Sequence, residues 1–370
     1  MRRKTQKNII AMLLVMILLL QSVPQVRAEE NETAPAEVTA TESTAPAETA
    51  DATEAAEIPT EPETTEPAPT EPESTAMVFN TAEKTSAIYQ ICDELAQNMQ
   101  ARQLFVYDTN TDTLLYSKNE GNGKLFPASI TKLFSTYVAL QHLDPNTVIT
   151  AGSELDLVHE GSSLAWIGKG SQLRVKTLVE GMMLPSGNDA AIILATAAGR
   201  AIAGDEALDP TDAVNIFVDE MNHQAKILGF EQSHFSNPDG WHTGSHYTCL
   251  NDLVRIATLA LENDTIRRYM RLAKDETTFV SGHYVVWENT NLLLLRGEGY
   301  YRSDAIGMKT GYTKPAGYCL MSAFTFEEGE IVIGLFGYTD KNSRFTDAIQ
   351  LVKAVKEQLR LEMASNESVG

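Results

Sequence analysis

The chain has 370 residues, 43% of them hydrophobic, enough for one large or two average domains around a buried core. Its 50 acidic against 29 basic side chains leave a net charge of -21, which repels a phosphate backbone and makes nucleic acid a poor partner. Three cysteines, Cys92, Cys249 and Cys319, with no CxxC pair, are too sparse for a disulfide scaffold or a cysteine-based zinc or redox site, and at most one bridge can form.

Arg2, Arg3, Lys4 and Lys7 precede an unbroken apolar run from Ile9 to Leu20, followed by QSVPQVRA with the small residues Val26 and Ala28. Positive, then apolar, then small is the order of a secretory signal. The 12-residue run is short of the roughly 20 residues a spanning helix needs. Residues 1–28 are therefore read as a signal peptide cleaved near Ala28, retention as an anchor being the alternative, and the chain as exported to the cell envelope or beyond. Residues 29–76 hold 13 Glu and one Asp, no Lys, Arg or aromatic residue, and seven of the 14 prolines. Such a segment has no core to form and reads as a disordered Thr/Glu/Pro-rich linker, with a reach on the order of 150 Å at about 3.1 Å per residue. It serves either as a spacer at a membrane or wall or as solvated filler.

Residues 77–370 show no second low-complexity break and read as one large domain. QLFVYDTNTDTLLYSKN alternates around turn residues and predicts a hairpin. Apolar residues at three- and four-residue spacing predict helices over 129–142, 189–203, 213–228 and 250–261. Strands are expected over 305–312, 317–326 and 331–338, and a last helix over 344–361. This order gives an α/β (α+β) class, a mixed sheet assembled from both chain ends with an all-helical lobe inserted, and places a pocket between sheet and lobe.

Three short motifs carry chemistry. In PASITKLFSTYVAL, Ser129 and Lys132 share a helix face, so an amine can reach a hydroxyl near the positive end of the helix dipole. Serine needs a base, and a buried lysine beside another cation can be one. A lone SxxK is usually an ordinary first helical turn. In LPSGNDAA, Ser186, Gly187 and Asn188 separate an apolar run from a helix; the plainer reading is an N-cap with Asp189 as partner. In GMKTGYT, Lys309, Thr310 and Gly311 lie on a strand, where a glycine marks weak packing or close approach of another backbone, and lysine with threonine can clamp a carboxylate.

In the order SxxK, SxN, KTG, the trio matches the known signature of penicillin-binding proteins and β-lactamases. With LGFEQSHFSNPDGWH, NTNLLL and GMKTGYTKPAGYCLMSAF, the chain resembles, from about Gln103 to Leu361, the D-alanyl-D-alanine carboxypeptidases, low-molecular-mass penicillin-binding proteins of the S11 serine peptidase family. The resemblance implies a β-lactamase/transpeptidase-like fold and removal of the terminal D-alanine from peptidoglycan stem peptides, with β-lactams as inhibitors and no metal or organic cofactor. It makes Ser129 the acylated nucleophile, Lys132 its general base, and Ser186 the relay to the leaving amine. Asn188, Lys309, Thr310, Gly311 and Arg344 would hold the substrate, Lys309 also keeping Lys132 neutral by repulsion. The N–H groups of Ser129 and Tyr312 would form the oxyanion hole. For Arg344 the plain alternative is a surface arginine at a helix N-terminus.

The chain departs from the family pattern at Trp241, where leucine is usual, and in the loop from His242 to His246. Family members often carry a β-rich domain and an anchor after the catalytic domain; nine residues follow Leu361 here, so any surface tether is expected to be N-terminal. A D,D-endopeptidase shares all three motifs. A class A β-lactamase would want SDN and an ExxLN-like glutamate segment, a catalytically idle β-lactam or peptidoglycan sensor would have no need of the nucleophile, and a zinc peptidase built on His242 and His246 would need a third ligand or a helix. Cys319 is expected as a buried small hydrophobe; a Cys92–Cys249 bridge is left open.

Overall fold

The computed structural model describes residues 79–118 and 121–367, so the signal and linker expected over 1–76 lie outside the described residues. The chain enters with β1 (Asn80–Thr81) and α1 (Ala87–Gln97), then forms the expected hairpin of β2 (Gln103–Asp108) and β3 (Thr113–Ser117). Asp108 shapes its turn by accepting from the Asn110 N–H at 3.0 Å and the Thr111 hydroxyl at 2.9 Å. A 3₁₀ turn, Ala128–Ile130, leads into α2 (Thr131–His142). There follow β4 (Val148–Thr150), β5 (Gln172–Arg174), α3 (Val175–Met183), α4 (Asn188–Ala203), α5 (Pro210–Ile227), α6 (Leu250–Glu262), α7 (Asp264–Met270), β6 (Lys274–Thr278) and β7 (Tyr284–Glu288). The chain returns through β8 (Ala305–Thr313), β9 (Gly317–Phe326) and β10 (Gly329–Tyr338), and α8 (Ser343–Glu367) follows.

The main sheet has the order β1-β3-β2-β10-β9-β8, so strands from both ends of the domain meet where β2 pairs with β10. All its pairs are antiparallel except β1 with β3. The inserted lobe is not all helical: β4–β5 and β6–β7 form two small sheets within it. Strand β6 reads KDETT, without the alternating apolar residues that announce a strand, and is held by its partner β7.

Both faces of the main sheet are covered, which is why its strands are nearly continuous apolar runs. On β2, Phe105 and Tyr107 face the helical lobe while Leu104 and Val106 face the other way; on β10, Val332 and Phe336 alternate in the same manner with Ile331, Ile333 and Leu335. The outer core is closed by α1, through Ile88, Cys92 and Ala96, and by α8, through Phe345, Leu351, Val352 and Val355. The inner core joins the sheet to α2, α3, α4 and α6 through residues such as Leu133, Phe134, Leu178, Ile193 and Leu253. All three cysteines are buried and free, so the bridge left open between Cys92 and Cys249 is not formed, and Cys319 takes the packed position expected of it.

Candidate active site

The site begins at the turn before α2. Ala128 has a φ of +50°, and Ser129 sits in the 3₁₀ turn, not in the helix proper. Lys132, in the first turn of α2 and fully buried, nevertheless reaches it: the Lys132 Nζ to Ser129 Oγ distance is 2.9 Å. The same amine donates to Asn188 Oδ1 and to the Asp239 carbonyl, both at 2.8 Å. Removal from water disfavours the ammonium, while Asp239 and Asp189 favour it; burial prevails and brings the lysine down to about 8. The structure brings Lys132 within repulsive range of Lys309. That side chain is lowered well below the usual lysine value by its own burial, then by Lys132 and Arg344.

Asn188 opens α4, and its Nδ2 donates to the Ser162 hydroxyl at 3.0 Å. The capping alternative for this motif is not what forms. Gly187 is the N-cap without a side-chain bond, and Asp189 instead accepts from the N–H groups of Ala165 at 2.8 Å and Ile167 at 3.0 Å. Asp189 thereby fixes the 162–167 segment, and with it Ser162, against α4. Ser186 is buried with a φ of +65° and lines the cleft.

The third wall is β8. Thr310 lines the cleft, and its hydroxyl meets that of Thr290 at 2.6 Å. Lys309 lies beneath, 1% exposed, with Nζ donating to the Thr310 carbonyl at 3.0 Å. A Cβ on Gly311 would stand 3.1 Å from the Ser129 nitrogen, so a glycine is what lets the strand lie against the serine backbone. Tyr312, the next residue, also borders the cleft. Arg344 is not a surface arginine: it is 4% exposed, with Nη1 donating to the carbonyls of Cys319 at 2.9 Å and Gly311 at 3.3 Å. Burial lowers it to about 10.

The loop from Asn237 to His246 completes the floor. Gly240, with a φ of +83°, lies so close to the Ala128 carbonyl that a Cβ would meet it at 1.9 Å. Trp241 lines the cleft and stacks on His159, ring centres 4.7 Å apart. His246 accepts from the Ser236 N–H through Nδ1 at 3.2 Å and meets the Thr131 hydroxyl through Nε2 at 2.8 Å. Burial, with help from His234, His242 and Lys132, depresses it to about 3, so it is a neutral support for the start of α2 with both nitrogens engaged. His242 and His246 lie in a loop and not on a helix.

The cleft has a volume of about 530 Å³ and brings Ser129, Ser186, Asn188, Thr310, Gly311, Tyr312 and Arg344 to one surface, with Lys132 and Lys309 buried beneath it. Three contributors escaped the sequence reading: Ser162, the Asp239 carbonyl and Thr290. Thr290 and Asp239 fall within stretches noted for their resemblance, where nothing local marked a role; Ser162 carries no motif.

A family profile described as D-alanyl-D-alanine carboxypeptidase (peptidase S11) matches residues 90–336. A D-alanyl-D-alanine carboxypeptidase of Streptomyces sp. is 33% identical over 258 residues, covering 67% of this chain and 84% of the relative. The carboxypeptidase DacF of Bacillus subtilis is 27% identical, covering 66% of this chain, which spans 59% of the relative's length. The crystal structure of a Streptomyces DD-transpeptidase superposes with a TM-score of 0.62 at 31% identity, covering 70% of this chain and 97% of that one.

Proposed function

The chain belongs to the D-alanyl-D-alanine carboxypeptidase family of serine peptidases, and from that membership and the cleft we propose that it removes the terminal D-alanine from peptidoglycan stem peptides through an acyl-enzyme on Ser129. The observation that carries this reading is the contact of Ser129 Oγ with Lys132 Nζ at 2.9 Å, the lysine having been lowered to about 8. In its free-base form that amine takes the serine proton as Oγ attacks the carbonyl of the penultimate D-alanine. Negative charge then develops on the carbonyl oxygen beside the Ser129 and Tyr312 N–H groups. The proton taken up by Lys132 passes by way of Ser186 to the departing amine, D-alanine leaves, and water releases the shortened peptide. Thr310 and Arg344 face the terminal carboxylate over the buried amine of Lys309, and Asn188 holds the substrate backbone. β-Lactams acylate the same serine.

We further propose that the chain works outside the cytoplasm, delivered by residues 1–28 and spaced by 29–76. D-alanine release from diacetyl-Lys-D-Ala-D-Ala by the full chain and by Ser129→Ala, with penicillin labelling alongside, tests the central reading. Release and labelling that both vanish in the variant support it; labelling without release opposes it. A second reading, transfer of the acyl group to an amine, is favoured by the DD-transpeptidase likeness. An added amine acceptor that diverts the acyl group from water would support that reading.

A further inference from the structure

Resting on the carboxypeptidase reading, we propose that the C-terminal end of β8 forms a specificity subsite. There Lys341, beside the stacked rings of Tyr312 and Tyr318, receives a carboxylate borne on the side chain of the residue that precedes D-Ala-D-Ala in the donor peptide. The strand sets the donor's direction. With the terminal carboxylate at Thr310 and the scissile carbonyl at the Ser129 and Tyr312 N–H groups, the peptide upstream of that carbonyl continues past Tyr312 toward Thr313, which also lines the cleft. β8 is the last strand in the sheet order, so an extended peptide can lie along it.

Lys341 belongs to that same end. Tyr312 pairs in register with Tyr318, and Tyr318 with Tyr338, the last residue of β10, after which the chain turns through Lys341 into α8. The Tyr312 and Tyr318 rings stack at 4.3 Å, and the Arg344 guanidinium backs Tyr318 at 5.2 Å from its centre. Tyr312 is 54% exposed at the cleft border, a flat apolar face that the methylene chain of a donor side chain would cover.

Charge decides what the far end of that side chain carries. Lys341 lines the cleft, and among the described residues its ammonium makes no ion pair or hydrogen bond. The carboxylate of neighbouring Asp340 is engaged at the start of α8, accepting from the Ser343 N–H and hydroxyl, both at 2.7 Å, and from the Asn342 N–H at 3.0 Å. Glu288, the exposed carboxylate of the cleft lining, lies two residues before Thr290, whose hydroxyl meets that of Thr310. An ammonium-ended side chain at the Lys341 end meets a like charge; a carboxylate-ended one meets an opposite charge.

Three donors test this with the full chain: Nα-acetyl-L-α-aminopimelyl-D-Ala-D-Ala, its ω-amide, and the Nα-acetyl-L-lysyl analogue. At low salt kcat/KM is expected to be roughly threefold to tenfold higher for the carboxylate than for the amide, and lowest for the lysyl donor. Added salt shrinks the preference. Lys341→Gln, at an exposed position, brings the carboxylate to amide ratio to about one and leaves the amide donor unchanged. A ratio of one in the unsubstituted chain overturns the proposal. So does an equal loss on all three donors in Lys341→Gln, which would assign the lysine to the terminal carboxylate. Failure to release D-alanine from any donor removes the carboxypeptidase reading and this one with it.

Discussion

Lys132 has three acceptors, Ser129 Oγ, Asn188 Oδ1 and the Asp239 carbonyl, and no contact with solvent. Only its unprotonated amine can accept the serine proton, and it titrates at about 8. Acylation by penicillin is therefore expected to fall about tenfold per pH unit below about pH 8 and to level off above it. A profile flat from about pH 6 to 9 would remove Lys132 as the base. Lys132→Ala should slow acylation by roughly 10²–10⁴-fold while the fold persists. Lys309→Ala should both raise KM and slow acylation, because its amine holds the Thr310 carbonyl and interacts electrostatically with Lys132; a change in KM alone would confine it to substrate binding. At this scale the sequence was informative where chemistry needs particular side chains a few residues apart, as with Ser129 and Lys132 or Ser186 and Asn188. It was silent on the Asp239 carbonyl, since every residue has one and only the loop's path aims it, and on Ser162, which Asp189 brings to Asn188 from 26 residues away.

Strand β8 lies against the Ser129 turn with no side chain between them, because position 311 is glycine. In Gly311→Ala the new methyl would be 3.0 Å from the Ala128 Cβ and 3.1 Å from the Ser129 nitrogen, so strand and turn must part by a few tenths of an ångström. Displacement of that size should slow penicillin acylation strongly while costing only about 1–3 kcal/mol of stability. Unchanged labelling kinetics would show that the close approach of these two elements is not needed for acylation. Among elements, the long periodic ones were legible: α4 to α6 and β8 to β10 agree with the expected segments to within a few residues. The start of α2 was misplaced because the 3₁₀ turn and the helix share one apolar pattern. α1, α3 and α7 went unnoticed, although Ser86 caps α1 through the Tyr89 N–H and Asn263 caps α7 through the N–H groups of Thr265 and Ile266. Helices of seven to eleven residues give periodicity little length in which to show itself.

At the scale of the molecule, one sheet serves two cores. The inner core holds the catalytic turn against the helical lobe, while the outer core under α1 and α8 meets the cleft at Leu292, at Tyr318 and at Arg344 in the first turn of α8. Leu351→Ala, in the outer core, should cost about 2–5 kcal/mol in urea unfolding while the folded enzyme keeps its kcat/KM. Loss of kcat/KM in step with stability would show that the outer core also sets the site. Assembly of the sheet from both chain ends was legible because the alternating and helical stretches follow one another in that order. Of the covering of its outer face, α8 was legible as the last expected helix and α1 was not.

The bond from Arg102 Nε to the Gly337 carbonyl, beside the pairing of β2 with β10, spans 235 residues. Contacts so distant along the chain make for late and slow closure. Until β10 exists, β2 has no neighbour on that side, and β9 and β8 have nothing to extend. A nascent chain that stops before Gly329 is thus expected to take up no penicillin label, although Ser129, Lys132, Ser186, Asn188 and Lys309 have all been made. Reactivity toward a β-lactam then reports that synthesis has passed its last strand.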